Sequence, residues 1–261
     1  MNIVVCVKQV PDTTEVKLDP KTNTLIRDGV PSIINPDDKA GLEAALRIKD
    51  KTGAKVTIVS MGPPQADVAI REALAMGADD AILVTDRAFG GADTWATSST
   101  LAAAIDTLDY DLIITGRQAI DGDTAQVGPQ IAEHLGVPNI SYAEELDVEG
   151  DYIKVKRQYE DRYHVIKCKT PCLVTALAEL NDPRYMTPGG IFDAYQKDVK
   201  WITRADLPKL EDGNIGLKGS PTRVKKSFTK QAKPAGTIHK SVDAVEGAEI
   251  MVNALKEKHI I

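Results

Sequence analysis

One polar stretch of the chain has the residue types of a loop that binds an anion. Residues 115–136 read TGRQAIDGDTAQVGPQIAEHLG and overlap the end of an apolar segment, DLIIT. Gly116 and Gly122 permit backbone angles that turn main-chain N–H groups towards a ligand. The helix predicted to follow them directs its positive end to the same place. These features together predict a phosphate-binding loop.

The two aspartates of this stretch require a different role, because they would repel a phosphate that they faced. We expect Asp121 and Asp123 to bind ribose hydroxyls, to cap the following helix or to hold Arg117. A capped helix without any ligand is the alternative. The number of polar side chains argues against it, since it exceeds what capping needs: Arg117, Gln118, Asp121, Thr124 and Gln126.

Strands and helices alternate regularly before this loop. Residues 3–7 (IVVCV) form a β-branched run, which is typical of a strand buried on both faces. Helix start and stop signals bracket residues 35–53, from Asn35 and Pro36 to Gly53. The remaining predicted elements are strands at 54–62, 79–86 and 111–116 and helices at 63–78 and 93–109. This alternation predicts an α/β fold with a doubly wound, mostly parallel sheet.

Beyond residue 136 the pattern changes. Apolar and polar residues alternate in residues 137–177, which predicts antiparallel strands that extend the sheet. From residue 181 the chain reads as mostly irregular, and so long an irregular segment is expected to wrap another subunit. The predicted parts are an α/β domain (1–180), a loop (181–196) and a C-terminal arm (197–261).

Open parallel sheets bind ligands at the carboxyl ends of their strands. The candidate binding residues are therefore those that follow each predicted strand or begin the first helix. They are Cys6, Val7, Lys8, Asp12, Asn35, Pro36, Asp37, Asp38, Met61, Gly62 and residues 85–98 and 116–127. We expect these positions to line a single crevice.

Composition argues against several classes of protein. The net charge of −6 disfavours nucleic-acid binding, although a basic run at 222–240 is either a solvated tail or an arm that grips a partner. No apolar run approaches the roughly 20 residues of a membrane span. The three scattered cysteines favour neither a disulfide framework nor a metal site. We expect a cytoplasmic location, with the N-terminus forming a strand rather than a signal peptide.

Motifs for side-chain catalysis are missing from the sequence. It has no GxGxxG after the first strand, no Walker A motif, no GxSxG and no HExxH. The four histidines fall in unrelated contexts: His134, His164, His239 and His259. The lack of an evident catalytic acid or base fits a protein whose chemistry resides in a cofactor.

Five segments resemble the β subunit of electron transfer flavoproteins. They read VKQVPD, NPDDKAGLEAALRIKD, MGADDAILVTDRAFGGADT, GRQAIDGDTAQVGPQIAEHLG and LNDPRYMTPGGI. The resemblance covers essentially the whole chain, including the tail that begins GSPTRV. It implies an adenine-nucleotide-binding α/β fold in a heterodimer. The larger α subunit would carry an FAD. The C-terminal arm of this chain would wrap around the α subunit.

The resemblance also implies a nucleotide site at the strand ends. Carried onto this chain, it comprises Cys6, Asn35, Pro36, Asp37, Asp38, Met61, Gly116, Arg117, Gln118, Ala119, Ile120, Asp121, Gly122, Asp123, Thr124, Ala125, Gln126 and Val127. In the common members this site holds AMP as a structural ligand. In the electron-bifurcating members it holds a second FAD, whose flavin meets NADH.

The loop sequence favours the bifurcating type. AMP-type β subunits usually show DDDxNQTGQ, where this chain has DGDTAQVGPQ. The departures are Gly122, Ala125, Val127 and Pro129, and smaller, less polar residues there suit a site extended for a flavin. The segment DRAFGGADTWATS also resembles bifurcating members and places Thr94 and Thr97 near a flavin or NADH.

The loop LNDPRYMTPGGIFDA resembles the segment with which the family recognises partner dehydrogenases. Its usual apolar anchor, a leucine, falls at Pro188 in this chain. The loop is long and apolar for an exposed segment, which favours a contact surface. The residues expected at the contact are Tyr185, Met186, Pro188, Ile191 and Phe192.

The resemblance implies a bifurcating mechanism. NADH would give a hydride to the FAD of this chain. One electron would go to the FAD of the α subunit and onward to an acyl-CoA dehydrogenase, and the other to ferredoxin or flavodoxin. Two alternatives remain open. A one-flavin carrier would hold AMP in the same site and would not react with NADH. A universal-stress-type module would be an ATP-binding homodimer and would leave the C-terminal arm without a role.

Overall fold

A computed structural model describes residues 1–12, 31–225, 236–240 and 242–261 of the chain. The chain divides into two compact units, Met1–Lys225 and Lys226–Ile261. The boundary between the units thus lies beyond residue 197, where the C-terminal arm was predicted to begin. Residues 226–235, which include part of the basic run and of the predicted tail motif, lie outside the described residues.

Nine described strands of the first unit form one sheet. They are β1 (Asn2–Cys6), β4 (Lys55–Met61), β5 (Asp80–Val84), β6 (Leu112–Gly116), β7 (Asn139–Glu149), β8 (Tyr152–Gln158), β9 (Tyr163–Lys169), β10 (Cys172–Ala176) and β11 (Val199–Ile202). Their spatial order is β11-β5-β4-β1-β6-β10-β7-β8-β9. Pairing is parallel from β11 to β7 and antiparallel from β7 to β9. A separate short ladder joins β2 (Gln9–Pro11) to β3 (Ser32–Ile34). The predicted α/β class, the mostly parallel sheet and its antiparallel extension are confirmed.

The predicted helices also form. The described helices are α1 (Pro36–Thr52), α2 (Asp67–Met76), α3 (Thr94–Ile105), α4 (Val127–Leu135), α5 (Pro188–Gln196) and, in the second unit, α6 (Ala244–Glu257). Helix α1 begins at Pro36, whose fixed φ suits the first helical position. It ends at Gly53, which has a φ of 72° and donates its N–H to the carbonyl oxygen of Lys49 at 2.8 Å. Among the described helices, none has the length and apolar character that crossing a membrane requires.

The parallel part of the sheet is buried on both faces. Val5 and Ile114 pack with side chains of α1 and α2, whereas their neighbours Val4 and Ile113 pack with side chains of α3 and α4. Successive residues of a strand point to opposite faces, so two helical layers require strands that are apolar throughout. This requirement explains the nearly continuous β-branched runs of the sequence.

The sheet changes its winding direction between β1 and β6. From β1 the chain adds β4, β5 and later β11 on one side, whereas β6 and β10 lie on the other side. At such a switch point the connections leave in opposite directions, and a crevice opens beyond the carboxyl ends of the two strands. The loops that follow β1 and β6 are those that the sequence identified as a ligand site.

One prediction for the second half of the chain was wrong. Residues 172–176 were expected among the antiparallel strands, but they form β10, a parallel strand between β6 and β7. All five residues of β10 are buried, as expected of a central strand covered on both faces. The described chain beyond residue 181 was expected to be mostly irregular, and most of it lies outside its helices and strands, which are α5, β11 and α6. Strand β11 extends the sheet at the β5 edge.

Close packing of α1 on the sheet gives a test of this architecture. A Cβ atom at Gly41 would lie 2.8 Å from Cγ2 of Ile114 and 3.4 Å from Cβ of Ala176. Because neither neighbour can retreat within a packed core, Gly41→Ala should lower the free energy of unfolding by about 1–3 kcal/mol. Urea denaturation followed by circular dichroism measures this change.

Gly189→Ala is the matched control, since a Cβ atom there meets nothing within 4 Å and the position lies in a helix. Its effect should range from neutral to a stabilisation of about 1 kcal/mol. A Gly41→Ala protein as stable as the parent would contradict the packing of α1 against β6 and β10.

Candidate nucleotide-binding site

The first turn of α1 joins the ends of the two strands at the switch point. Oδ2 of Asp38 accepts a hydrogen bond from the backbone N–H of Lys8, just beyond β1, at 2.8 Å. Oδ1 of the same carboxylate accepts from the N–H of Gly116, the last residue of β6, at 2.9 Å. One side chain therefore fixes the spacing of β1 and β6 where the crevice opens.

Burial changes the protonation of the groups beneath the crevice. It raises the pKa of Asp38 to about 7, although the hydrogen bonds from Lys8, Asn35 and Gly116 favour the anion. Burial, helped by the negative charge of Asp38, raises the pKa of the Cys6 thiol to about 12. Cys6 is therefore neutral at physiological pH, so it contributes packing rather than a reactive thiolate.

Gly116 is required here for a reason other than the predicted one. Its φ is not in the left-handed region, and neither is that of Gly122. A Cβ atom at Gly116 would instead collide with Oδ1 of Asp38 and would lie 2.8 Å from Cβ of Asp37. The glycine thus permits close approach of α1 to β6, and the expectation of unusual glycine backbone angles was wrong.

Asp37, next along α1, holds the beginning of the loop. Its Oδ1 accepts from the N–H of Ala178 at 3.0 Å, and its Oδ2 accepts from the N–H of Gln118 at 3.4 Å. Nε of Arg117 lies 3.4 Å from the same Oδ2. Burial raises the pKa of Asp37, and the charge of Arg117 opposes that increase. The guanidinium thus compensates part of the cost of a partly buried carboxylate.

Asn35 supports the loop from beneath. This side chain is fully buried, which requires that its amide be hydrogen-bonded. Its Nδ2 donates to the carbonyl oxygen of Gln118 at 2.8 Å, and its Oδ1 accepts from the N–H of Ile120 at 3.1 Å. The start of helix α1 and the first part of the loop are therefore one hydrogen-bonded assembly.

The two loop aspartates hold other partners than those expected. Asp121 forms an ion pair with Nζ of Lys8 at 2.6 Å, and Asp123 accepts a hydrogen bond from Nε2 of Gln118. Neither aspartate caps α4 or holds Arg117, so those two expectations were wrong. The alternative that they bind ribose hydroxyls stays a prediction. Their contacts close the loop over the end of β1.

Strained backbone is concentrated at this site. Among the described residues, the non-glycine residues with positive φ are Asp123 (54°), Ala125 (52°), Tyr142 (62°) and His259 (54°). The first two lie in the candidate loop. Such conformations cost about 1–3 kcal/mol each and persist where surrounding structure imposes them, which is common at ligand sites. The strain supports a loop shaped for binding.

Tyr142 is a site residue that the sequence reasoning missed. The guanidinium carbon of Arg117 lies 6.0 Å from the centre of its ring, at the edge of cation–π range. Its N–H donates to Oγ1 of Thr175 at 3.0 Å, where the register between β7 and β10 shifts. In the sequence, Tyr142 falls in a strand that was expected to be antiparallel. That expectation gave no reason to place Tyr142 near the carboxyl ends of the parallel strands.

The start of α4 lacks a side-chain cap from the residue before it. Gln126, which precedes the helix, makes no capping hydrogen bond with its side chain among the described residues. Its Oε1 instead accepts from Oγ1 of Thr94 at 2.8 Å. The first N–H groups of α4 thus have no side-chain cap from this position and can bind an anion. Thr97 lies one turn further along α3, half-buried, with no hydrogen bond to the loop in the described part.

The strand-end cluster is an open surface. Gly122, Asp123 and Thr124 are exposed, and the side chain of Met61 is half-buried beyond β4. Two cavities, of about 310 and 390 Å³, lie away from the loop after β6, and Trp95 is the one candidate residue among their lining side chains. The described residues contain no cluster of three His, Cys, Asp or Glu side chains suited to a metal ion.

The predicted partner-recognition residues lie on α5 and just before it. Tyr185 is 95% exposed and Phe192 is 75% exposed, and Met186 and Ile191 are also exposed. Pro188 occupies the first position of α5, with Thr187 as the capping residue. The segment is thus partly helical, whereas the sequence indicated a loop. The segment thus exposes large apolar side chains to water, and its role in partner recognition stays a prediction.

Comparison with known proteins identifies related chains. The Electron transfer flavoprotein domain family matches residues 22–207. The chain is 60% identical to an electron transfer flavoprotein subunit beta of Clostridium acetobutylicum, over 100% of both chains. It is 55% identical to the caffeyl-CoA reductase-Etf complex subunit CarD of Acetobacterium woodii and 48% identical to the acryloyl-CoA reductase electron transfer subunit gamma of Anaerotignum propionicum. Both of these alignments also cover 100% of each chain.

The contact between Gly116 and Asp38 gives a test of the site. In Gly116→Ala the new methyl group must displace the Asp38 carboxylate, which breaks the link between β1 and β6. We expect the purified protein to retain less than about a tenth of its adenine nucleotide, a loss equivalent to at least about 1.4 kcal/mol of binding. Chromatography of the nucleotide released by acid measures the content.

Gly189→Ala is the control outside the candidate site, since a Cβ atom there meets nothing within 4 Å and the position lies in α5. It should retain its nucleotide. Equal nucleotide content in both variants would contradict the assignment of the site to this crevice.

Proposed function

The chain belongs to the electron transfer flavoprotein family, as a β subunit, and from this premise we propose that it binds FAD in the crevice at the β1–β6 switch point. Membership as a β subunit implies an α subunit as partner. In the proposed function the heterodimer oxidises NADH and divides its electrons between the FAD of the α subunit and ferredoxin or flavodoxin. The α subunit passes its electrons to an acyl-CoA dehydrogenase.

The proposal rests on the hydrogen bonds that hold the two strand ends and the loop of the crevice in place. Asp38 fixes the two strand ends, and Asn35 and Asp37 hold the loop that crosses them. These bonds are made within the chain itself. A preformed site at a switch point is the usual place for a nucleotide in an open α/β sheet.

The residues present fit a dinucleotide cofactor. Nε of Arg117 is ion-paired with Oδ2 of Asp37 at 3.4 Å but makes no hydrogen bond among the described residues, and the first N–H groups of α4 lie at the end of the same loop. A phosphate satisfies both kinds of donor, because it offers several acceptor oxygens and negative charge. A bound flavin would supply hydride acceptance from NADH and the ability to pass on single electrons. The chain supplies binding and orientation.

Small and apolar side chains in the loop support a ligand longer than AMP. A Cβ atom at Gly122 meets nothing within 4 Å, and the neighbouring departures from the AMP-type pattern, Ala125 and Val127, are small or apolar. The hydrogen bond from Thr94 to Gln126 places the start of α3 beside the loop. Thr94 and Thr97 are therefore the residues that we propose to lie near the flavin or NADH.

The relatives support an acyl-CoA enzyme as the partner. Two of them are named for complexes that reduce caffeyl-CoA and acryloyl-CoA. We propose the exposed aromatic surface around α5 as the contact with such a dehydrogenase, because it exposes three aromatic side chains close together in the chain, Tyr185, Phe192 and Tyr195.

The proposal is tested by counting flavins. The chain is co-purified with its α subunit, supplied with FAD and freed of excess, and the heterodimer is then mixed with NADH without oxygen. Two flavins per heterodimer, both bleached by NADH, are expected. A Gly116→Ala heterodimer should keep only the α-subunit flavin.

Other stoichiometries would overturn the proposal in distinguishable ways. One flavin with bound AMP and no reaction with NADH would make the protein a one-flavin carrier. A homodimer that binds ATP and does not associate with an α subunit would favour the universal-stress alternative.

Helix α6 of the second unit supports the proposed role of the C-terminal arm. Its apolar residues Ala248, Met251, Val252 and Leu255 follow the i, i+3, i+4, i+7 spacing of one helix face. Met251 is 66% exposed, and no residue of α6 is buried. An amphipathic helix with an uncovered apolar face requires a partner surface. We propose the α subunit as that partner.

A charge on this face should weaken the heterodimer. Met251→Glu would bury a carboxylate against the α subunit, so the dissociation constant should rise about ten-fold or more. Asn253→Glu introduces the same charge on another face of the helix and should change it less than about two-fold. Analytical ultracentrifugation of the mixed subunits distinguishes the two. Equal affinity in both variants would remove α6 from the subunit interface.

A further inference from the structure

Helix α5 exposes its large apolar residues to water and packs small residues inward, the reverse of the usual arrangement. Its exposed residues include Ile191, Phe192 and Tyr195, whereas Ala194 is fully buried. A Cβ atom at Gly190 would lie 2.5 Å from the carbonyl oxygen of Ala75 at the end of α2. Small residues thus let α5 pack backbone to backbone on α2. The side chains that could have formed a core are left on the outside.

An arginine fixes the chain that leads into this helix. Nε of Arg184 donates to Oε2 of Glu43 at 2.8 Å, and its Nη2 donates to Oε1 at 3.2 Å. The backbone N–H of Arg184 donates to Oε2 of Glu43 as well, at 3.1 Å, and Nη2 also reaches Oδ2 of Asp50 at 2.7 Å. Both the side chain and the backbone of Arg184 are therefore held by α1.

Glu43 is an unusual group to find in this position. It lies in the middle of α1, and its side chain is 4% exposed. Burial raises its pKa, but hydrogen bonds from Arg184 and Arg47 outweigh that effect and hold the pKa below the usual 4.5. The carboxylate is thus charged at neutral pH. A buried charge of this kind is retained only with partners of fixed geometry.

A second arginine fixes the far end of α5. Nη1 of Arg71, on α2, donates to the carbonyl oxygens of Ala194 at 2.7 Å and Lys197 at 2.6 Å. Its guanidinium carbon lies 5.8 Å from the centre of the Tyr195 ring. This arginine therefore satisfies carbonyl groups at the end of the helix and also supports one of the exposed aromatic rings.

We infer that Arg184 and Glu43 are positioning residues that hold the Tyr185–Tyr195 surface in a fixed shape for docking of the partner dehydrogenase. This inference rests on the proposed function of that surface. Two braces, at Arg184 and Arg71, make the surface a platform instead of a mobile loop. A preformed surface loses less conformational entropy on binding than a loop that must first become ordered.

Helix α1 connects this platform with the candidate nucleotide site. Asp37 and Asp38 lie in its first turn and accept backbone hydrogen bonds at the strand ends that form the crevice. Glu43 lies further along and accepts hydrogen bonds from Arg184. Removal of the Arg184 brace should therefore disturb docking and leave the nucleotide site intact, because the bonds of Asp37 and Asp38 do not involve Arg184. This separation makes the inference testable.

The test uses the heterodimer and its acyl-CoA dehydrogenase, with electron transfer measured against dehydrogenase concentration. Arg184→Ala should raise the KM for the dehydrogenase about ten-fold and change kcat less than about two-fold. Flavin content and the subunit dissociation constant should not change. Arg184→Lys should give an intermediate KM, because a lysine cannot reproduce the forked contact with Glu43 and Asp50. Arg162→Ala, at an exposed arginine paired with its neighbour Asp161, is the matched control and should behave as the parent.

A KM for Arg184→Ala within about two-fold of the parent would overturn the inference. If that variant does not assemble, Glu43→Gln with Arg184→Gln removes both charges together and leaves none buried alone. The same rise in KM is expected.

Phe192→Ala separates this inference from the proposed function. A raised KM in Phe192→Ala without one in Arg184→Ala would refute only the brace. An unchanged KM in Phe192→Ala would show that the surface is not the docking site, and both statements would fall.

Discussion

The Asp38 carboxylate is the interaction on which the position of the candidate site depends. It lies beneath the crevice and accepts hydrogen bonds from the ends of β1 and β6, the strands between which the sheet reverses its winding. Burial of a carboxylate is costly, and N–H donors at both oxygens offset that cost only when the two strand ends keep their spacing. Gly116 is the residue that allows this approach, since any side chain there would occupy the place of Oδ1.

Helix α1 extends the influence of this interaction through the first unit. Its first turn binds both strand ends and, with Asn35 before it, the loop after β6. Gly41 then lets the helix lie close to β6 and β10, and Glu43 holds the segment that leads to α5. A single helix therefore fixes the nucleotide crevice and the exposed aromatic platform. The proposed nucleotide binding at the crevice and the proposed docking at the platform share this support, although they use different residues.

The sequence predicted the parts of the fold that depend on local pattern. Apolar runs alternating with helix signals were sufficient for the parallel sheet, and the strand-end rule, with the start of the first helix added, placed Asn35, Asp38 and Gly116 together. The sequence could not predict the features that depend on tertiary contacts. The reason for Gly116 is a neighbour 78 residues away, the strained residues of the loop are Asp123 and Ala125 rather than glycines, and Tyr142 reaches the site only because β10 inserts beside β7. That FAD and not AMP occupies the crevice stays a proposal.

A crystal structure of the heterodimer with its natural nucleotide is the most direct test of this account. We expect the phosphates at the start of α4 beside Arg117, with both hydrogen bonds of Asp38 intact and the rest of the ligand extending past Gly122 towards Thr94. A nucleotide bound elsewhere would contradict the account, for example in the groove between α3 and α4 lined by Trp95 and His134. So would a crevice in which Asp38 no longer joins β1 to β6.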